Sequence, residues 1–169
     1  FTMTEHAMPN TVSLPYLQAL FDYTRSHGLA DDLLLNGATL NLQDSDTRCT
    51  EAFATQLFER AAVLLNDETL GLHAGENIRP GHYGVLGYIV MNCATLGESL
   101  NYLFRYQALV IELQGGFSIF AEEDSIILSF PPDEDWPMRQ LAEFNLAAFI
   151  SFMRWVTGYK GSPLRVDFN

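Results

Sequence analysis

Apolar residues in this chain recur mostly at spacings of three and four, a pattern that predicts helices with a minor β component. Residues 1–11 are polar and mixed and are expected to fray. Ser13 ahead of Leu14-Pro15 marks a helix start, since proline fits the first turn. Leu14, Leu17, Leu20, Phe21 and Tyr23 carry that helix to His27-Gly28, where glycine suits the residue after the last turn. A short helix over 31–35 closes at Asn36-Gly37. After a polar linker containing Asp44, Asp46 and Arg48, Thr50 is placed to cap a long helix running to Asn66. Phe53, Leu57, Phe58, Ala61, Leu64 and Leu65 form its apolar side.

The second half begins with a short helix over 68–75 and a corner over 78–84, followed by an apolar helix over 85–93. Thr95, with Glu98 three positions on, makes a capping-box pattern for a helix reaching about residue 110. Residues 117–122 and 125–130 flank Glu123-Asp124 as a hairpin, stopped by Pro131-Pro132. Asp133, Glu134 and Asp135 lie where the positive end of a helix dipole favours them. The helix they open, 138–159, is apolar almost all round and is expected at the centre of the fold. A loop over 158–163 then leads to a strand over 164–168. These elements make an α+β fold, mainly helical, with a small antiparallel sheet from the hairpin 117–130 and the C-terminal strand 164–168. At 169 residues it is expected to be a single domain over 1–169.

Composition narrows the function. With 48% hydrophobic and 12% aromatic residues, the chain can fill a core. The longest apolar stretch, 141–156, is interrupted by Glu143, Asn145 and Arg154, which argues against a membrane span. No signal-peptide pattern opens the chain, and Phe1 suggests a fragment. A net charge of −12, with nine scattered basic residues, opposes direct binding to a phosphate backbone. Cys49 and Cys93 have no metal-type neighbours in sequence and read as reduced, buried thiols of a cytoplasmic protein.

Chemistry-bearing patterns are sparse. Gly81, Gly84 and Gly87 follow no strand and precede no P-loop Lys-Ser/Thr pair, so they read as packing turns. His6, His27, His73 and His82 share no ligand spacing, although His73 and His82 flank the 78–84 corner with Glu76 between them. Ser99 and Ser151 lack nucleophile-elbow glycines, and the acidic runs fall on turns and a helix start, so neither enzymatic activity nor a metal or cofactor is expected. The aromatic set is richer. On the 95–110 helix, Leu96, Leu100, Leu103, Phe104 and Ala108 form one stripe and Tyr102, Tyr106 and Leu109 another, with Arg105 between. The last helix carries Leu141, Asn145, Ala148, Phe152 and Trp155 on one face, and Phe144, Ala147 and Met153 on another. With Phe117, Ile119, Ile126, Leu128 and Phe130 of the hairpin, these faces suit either a solid core or the walls of a cavity. In the second case Tyr88, Asn92, Tyr102, Arg105 and Asn145 are the polar groups expected to point inward.

Residues 70–109 hold six of the twelve glycines and carry a recognisable series of words: Leu70-Gly-Leu-His-x-Gly-Glu76, Arg79-Pro-Gly81, Gly84-x-Leu-Gly-Tyr88 and Thr95-Leu-Gly-Glu-Ser-Leu100. A looser likeness runs through Arg105-Tyr106, the helix around 141–149 and Leu164-Arg-Val166. In these words the chain resembles the amino-terminal regulatory, arabinose-binding-like domain of AraC-type transcription regulators. That resemblance implies an effector-sensing domain coupled to a carboxy-terminal pair of helix-turn-helix motifs, which is expected outside this chain because no basic recognition helix appears in it. DNA contact would then belong to that other domain. Sugar binding does not follow from the label, because the sugar-binding founder uses a cupin-like β-barrel while this chain reads as helix-rich. The expectation is a small, partly apolar effector between the helices starting near 95 and 138 and the hairpin. Arg105 is expected to pair with a polar group of that effector, with Tyr83, Tyr88, Asn92, Tyr102, Tyr106, Phe144 and Asn145 around it, and a homodimer as a possible partner. The alternative is a ligand-independent dimerisation module, with an enzyme the least favoured reading.

Overall fold

The structure, a computed structural model, describes residues 10–112, 117–122, 125–129 and 139–167. The expectations for His6, the Glu123-Asp124 turn, Phe130, Pro131-Pro132, the acidic run 133–135, Met138 and Phe168 lie outside those residues. In chain order the elements are β1 (Thr11–Ser13), α1 (Leu14–Ser26), α2 (Asp31–Leu35), β2 (Arg48–Thr50), α3 (Glu51–Leu65) and α4 (Leu70–Glu76). A 3-10 turn (Pro80–Tyr83), α5 (Val85–Met91), α6 (Leu96–Arg105) and a second 3-10 turn (Gln107–Leu109) follow. The hairpin β3 (Ser118–Glu122) and β4 (Ser125–Ser129) precedes the longest helix, α7 (Arg139–Thr157).

Local sequence sets the helix ends. The Thr50 hydroxyl accepts from Phe53 N at 3.2 Å to cap α3, and Thr95 does the same for Glu98 N at 3.2 Å on α6. The Glu98 carboxylate reaches back to Ala94 N at 3.0 Å, completing the reciprocal cap one residue outside its usual place. Asn36 and Asn66 close α2 and α3 in the left-handed region, at φ 50° and 51°, which asparagine tolerates better than most residues. Gly84, at φ 58° and ψ −140°, lets the chain turn from the 3-10 segment into α5, a conformation hostile to any Cβ.

α7 is the central helix. Leu141, Phe144 and Ala148 are fully buried, and the Phe144 ring packs 4.8 Å from Phe58 of α3 and 5.0 Å from Tyr16 of α1. α4 lies against it at backbone distance because of two glycines. A Cβ on Gly71 would sit 2.0 Å from the Gln140 carbonyl oxygen, and one on Gly75 2.7 Å from Ala147 Cβ and the Phe144 carbonyl oxygen. The buried Gln140 side chain fastens the crossing: its Oε1 accepts from Gly71 N at 2.8 Å while its Nε2 donates to Glu68 O at 2.8 Å. It thereby satisfies an otherwise unpaired amide in the first turn of α4.

The β content differs in place from the expectation. β1 and β2 pair antiparallel, Val12 opposite Cys49, and Val12 also bridges to Ile111. Thus residues 11–13, read from sequence as a frayed end and a helix start, form a strand held between two neighbours, and the Ser13 side chain makes no cap bond. Arg48 locks this junction, donating to the Ala108 and Leu109 carbonyls at 2.9 Å each and to Thr11 Oγ1 at 2.7 Å. The helix predicted to reach residue 110 accordingly stops at Arg105, because the next residues are drawn into a 3-10 turn against β1. The hairpin pairs Glu122 with Ser125 and Ser118 with Ser129. The strand expected over 164–168 is absent over 164–167: Leu164 is 93% exposed, and no neighbouring strand pairs with the segment among the described residues.

Candidate functional site

Between α1, α6, α7 and the hairpin lies a cavity of about 40 Å³. Tyr16 comes from α1 and Tyr83 from the first 3-10 turn, while Leu103 and Phe104 face it from α6. Gln107, Val110 and Ile111 close one side, Phe117 and Leu128 of the hairpin region another, and Asn145 and Phe149 of α7 the back. A buried water needs roughly 10–15 Å³ by such a measure, so this space takes about three waters or a molecule of a few heavy atoms. The wall is mostly carbon, with no Asp, Glu, Lys, Arg or His among the described lining residues.

The few polar groups on the wall are mostly hydrogen-bonded within the protein. Tyr16 Oη donates to Asn145 Oδ1 at 2.9 Å, and Tyr83 Oη donates to the Ala148 carbonyl at 3.1 Å. Burial, joined for Tyr16 by its nearness to Tyr83, pushes both phenols well above their ordinary range, so they remain neutral donors. Gln107 Oε1 accepts from Phe117 N at 2.9 Å and its Nε2 donates to Phe104 O at 3.0 Å, tying the base of the hairpin to the end of α6. One donor is left over. Asn145 is 2% exposed and its Nδ2 has no hydrogen-bond partner. An unpaired buried donor costs about 1–3 kcal/mol, a penalty that a bound acceptor would relieve.

Residues 28–169 match the family described as the arabinose-binding domain of AraC transcription regulators, at their N-terminus. The chain belongs to this family. A relative, the ornithine utilization regulator of Pseudomonas aeruginosa, is 28% identical over 98 residues, covering 56% of this chain and 29% of that protein. The chain therefore spans well under half the length of that relative.

Of the residues singled out from sequence, this AraC-type domain places Tyr83 and Asn145 on the cavity wall. Phe144 is buried beside the cavity, in the core between Tyr16 and Phe58. Tyr102 is half-buried against Tyr106, whose ring stacks 6.2 Å away. Tyr88, Asn92, Arg105 and Tyr106 face outward, a correction to the inward orientation expected for Tyr88, Asn92 and Arg105. Arg105 is two residues beyond Leu103, a rotation of roughly 200° that carries it to the far side of α6. Its guanidinium stands 5.6 Å from the Tyr106 ring, in solvent. Asn92 donates to its own helix, at Tyr88 O. The sequence reading missed Tyr16, Gln107, Val110, Ile111 and Phe149. Tyr16 did carry a signal: a phenol on the apolar face of α1 needs a buried partner for its hydroxyl.

The remaining candidates have local roles. His73 Nδ1 lies 2.8 Å from Asp67, which also accepts from Tyr23 Oη at 2.9 Å. Although burial opposes it, these bonds and one from Thr69 N hold Asp67 below the usual carboxylate range. His82 Nδ1 accepts from Arg79 N at 3.0 Å, leaving its Nε2 to donate to Asp22 at 3.2 Å. His73 and His82 thus engage different carboxylates, and no three His, Cys, Asp or Glu side chains converge among the described residues. Ser99 Oγ donates to the Val90 carbonyl at 2.9 Å. Cys49 and Cys93 are free thiols, and burial pushes Cys49 up to about 11. No helix among the described residues is long and apolar enough to cross a membrane.

Proposed function

We propose that this domain is the effector-sensing part of a cytoplasmic AraC-type regulator, and that a small, largely apolar molecule binds in the cavity between α6, α7 and the hairpin. The observation that carries this reading is the apolar cavity lined by Asn145, whose buried Nδ2 has no hydrogen-bond partner. A net charge of −12 supports leaving DNA contact to another part of the regulator. The cavity wall over Gln107–Ile111 is the same segment that Arg48 and β1 grip from the other side. A ligand pressing on that segment favours one arrangement of β1, β2 and the hairpin over another, and such a bias is what a regulatory domain transmits.

A thermal-shift screen of amino acids, fatty acids and aromatic acids, widened to small neutral organics, tests the reading. A ligand held at a hundred times its Kd is expected to raise the melting temperature by about 5–10 °C. The rise should vanish when Leu128→Trp fills the space. Failure of every compound class to shift the transition overturns the sensor reading.

A second reading, a ligand-independent dimerisation module, is favoured by one observation. The outer face of α5 exposes Val85, Tyr88, Ile89 and Met91 to solvent, a contiguous apolar strip of the kind proteins cover. Sedimentation of the free domain distinguishes the two: a dimer that forms without ligand and is dissociated by Tyr88→Glu supports this reading.

A further inference from the structure

Every polar side-chain atom of the cavity-lining residues except Asn145 Nδ2 already has a hydrogen-bond partner. Asn145 Oδ1 takes the Tyr16 hydroxyl, and the Tyr83 hydroxyl is spent on Ala148 O. Gln107 is used at both ends, by Phe117 N and Phe104 O. The wall therefore holds one wholly unpaired donor, while the Tyr16 and Tyr83 hydroxyls have spent their protons and keep only acceptor lone pairs. Among the described residues it also offers no ionised group, and a charge placed there would lose its hydration with nothing to replace it.

From this we infer, building on the effector reading above, that Asn145 is the specificity-determining residue of the cavity. Its ligand is an uncharged carbonyl compound of a few heavy atoms, a small ketone or lactone, and not an amino acid or a carboxylate. The carbonyl oxygen accepts from Asn145 Nδ2 while its carbon skeleton lies against Leu103, Phe149 and Leu128. Tyr16 acts as a positioning residue, fixing the orientation of the carboxamide by donating to its oxygen, so that the NH2 end faces the ligand. The relative's name concerns ornithine utilization; ornithine itself carries an ammonium on its side chain and a zwitterionic end, and nothing on this wall compensates either.

The test follows the Asn145 side-chain amide by NMR in the 169-residue chain. It is titrated with butanone, with 2-methylbut-1-ene (in which a methylene replaces the carbonyl oxygen), with butyrate and with ornithine. Butanone is expected to shift the Asn145 Nδ2 resonances and to bind about five- to tenfold more tightly than the alkene, the worth of one relieved donor. Butyrate and ornithine are expected to leave the lining residues unmoved. The double variant Tyr16→Phe/Asn145→Leu removes both partners of the buried pair and should bind ketone and alkene alike; if it does not fold, the ketone-to-alkene ratio in the unaltered chain decides alone. Equal binding of ketone and alkene overturns the role of Asn145 while leaving the cavity a binding site. Occupation by butyrate or ornithine overturns the uncharged class. If none of the four perturbs a lining residue, and Asn145 Nδ2 shows a cross-peak to water alone, a buried water is the occupant; the inference then fails together with the sensor reading at this cavity.

Discussion

The two faces of α7 are packed by opposite means. On one, α4 touches it backbone to backbone through Gly71 and Gly75, and the Gln140 side chain stitches the first turn of α4 in place. On the other, α6 and the hairpin approach through large side chains that leave about 40 Å³ between them. The hairpin's outer positions are open to solvent, with Phe120 49% and Ile126 62% exposed. A close backbone crossing has no slack, because neither partner can rotate away from a clash. A wall of Leu, Phe and Val side chains can re-pack around a guest by changing rotamers. One domain thus holds a rigid anchor and an adaptable wall, joined by a shared helix.

The contrast is broken most sharply at the anchor. Gly71→Ala places a methyl 2.0 Å from the Gln140 carbonyl oxygen, and it is expected to destabilise the domain by about 3 kcal/mol, the upper end of overpacking, in urea unfolding. On the adaptable side, Val110→Leu extends a side chain that already faces the cavity. It should cost less than about 1 kcal/mol or add slight stability, while weakening ligand binding. Equal losses from the two substitutions would show that the cavity side is as unyielding as the α4 crossing. Arg48→Met withdraws the donors that hold the Ala108 and Leu109 carbonyls and is expected to cost about 1–1.5 kcal/mol. Its signature would be faster amide exchange across 107–112 without change in α4.

A smaller effect is expected from pH. Burial lowers the His82 pKa, with Arg79 adding to the effect and Asp22 opposing it, so the unfolded chain takes up its proton first as pH falls. The contribution is therefore complete above the ordinary histidine range near 6.5 and is lost as pH drops through the lowered folded value. Stability measured from pH 7.5 downward should fall less steeply in His82→Gln than in the unaltered chain. The smallest change is Gly97→Ala: a Cβ there meets nothing within 4 Å, and helix propensity in the first turn of α6 should add a few tenths of a kcal/mol.

Features decided by neighbours in sequence were readable in advance. The Thr50 and Thr95 caps, the asparagines ending α2 and α3, and the central position of α7 all follow from local chemistry or from periodicity. Features decided by distant partners were not. A three-residue strand such as β1 has too few positions to show alternation, and its partners lie 35 and more residues away. The misplacement of Arg105 has a related cause. The second stripe, Tyr102, Tyr106 and Leu109, needs a helix to residue 110, but α6 ends at Arg105. Tyr106 and Leu109 therefore leave that stripe, and no second inward face forms beside Arg105. Half of the polar pair at the back of the cavity was named from sequence, Asn145, and half was not, because Tyr16 meets it across 129 residues.

The bonds that link Gly71 and Glu68 to Gln140 span about seventy residues of chain, and they also set the order of events during synthesis. A ribosome that has released only the first hundred residues has exposed α4 without the helix that covers its glycine face. Closure of this crossing waits for the stretch from Arg139 to Thr157 to emerge, so a message cut short before it yields a chain without its central helix.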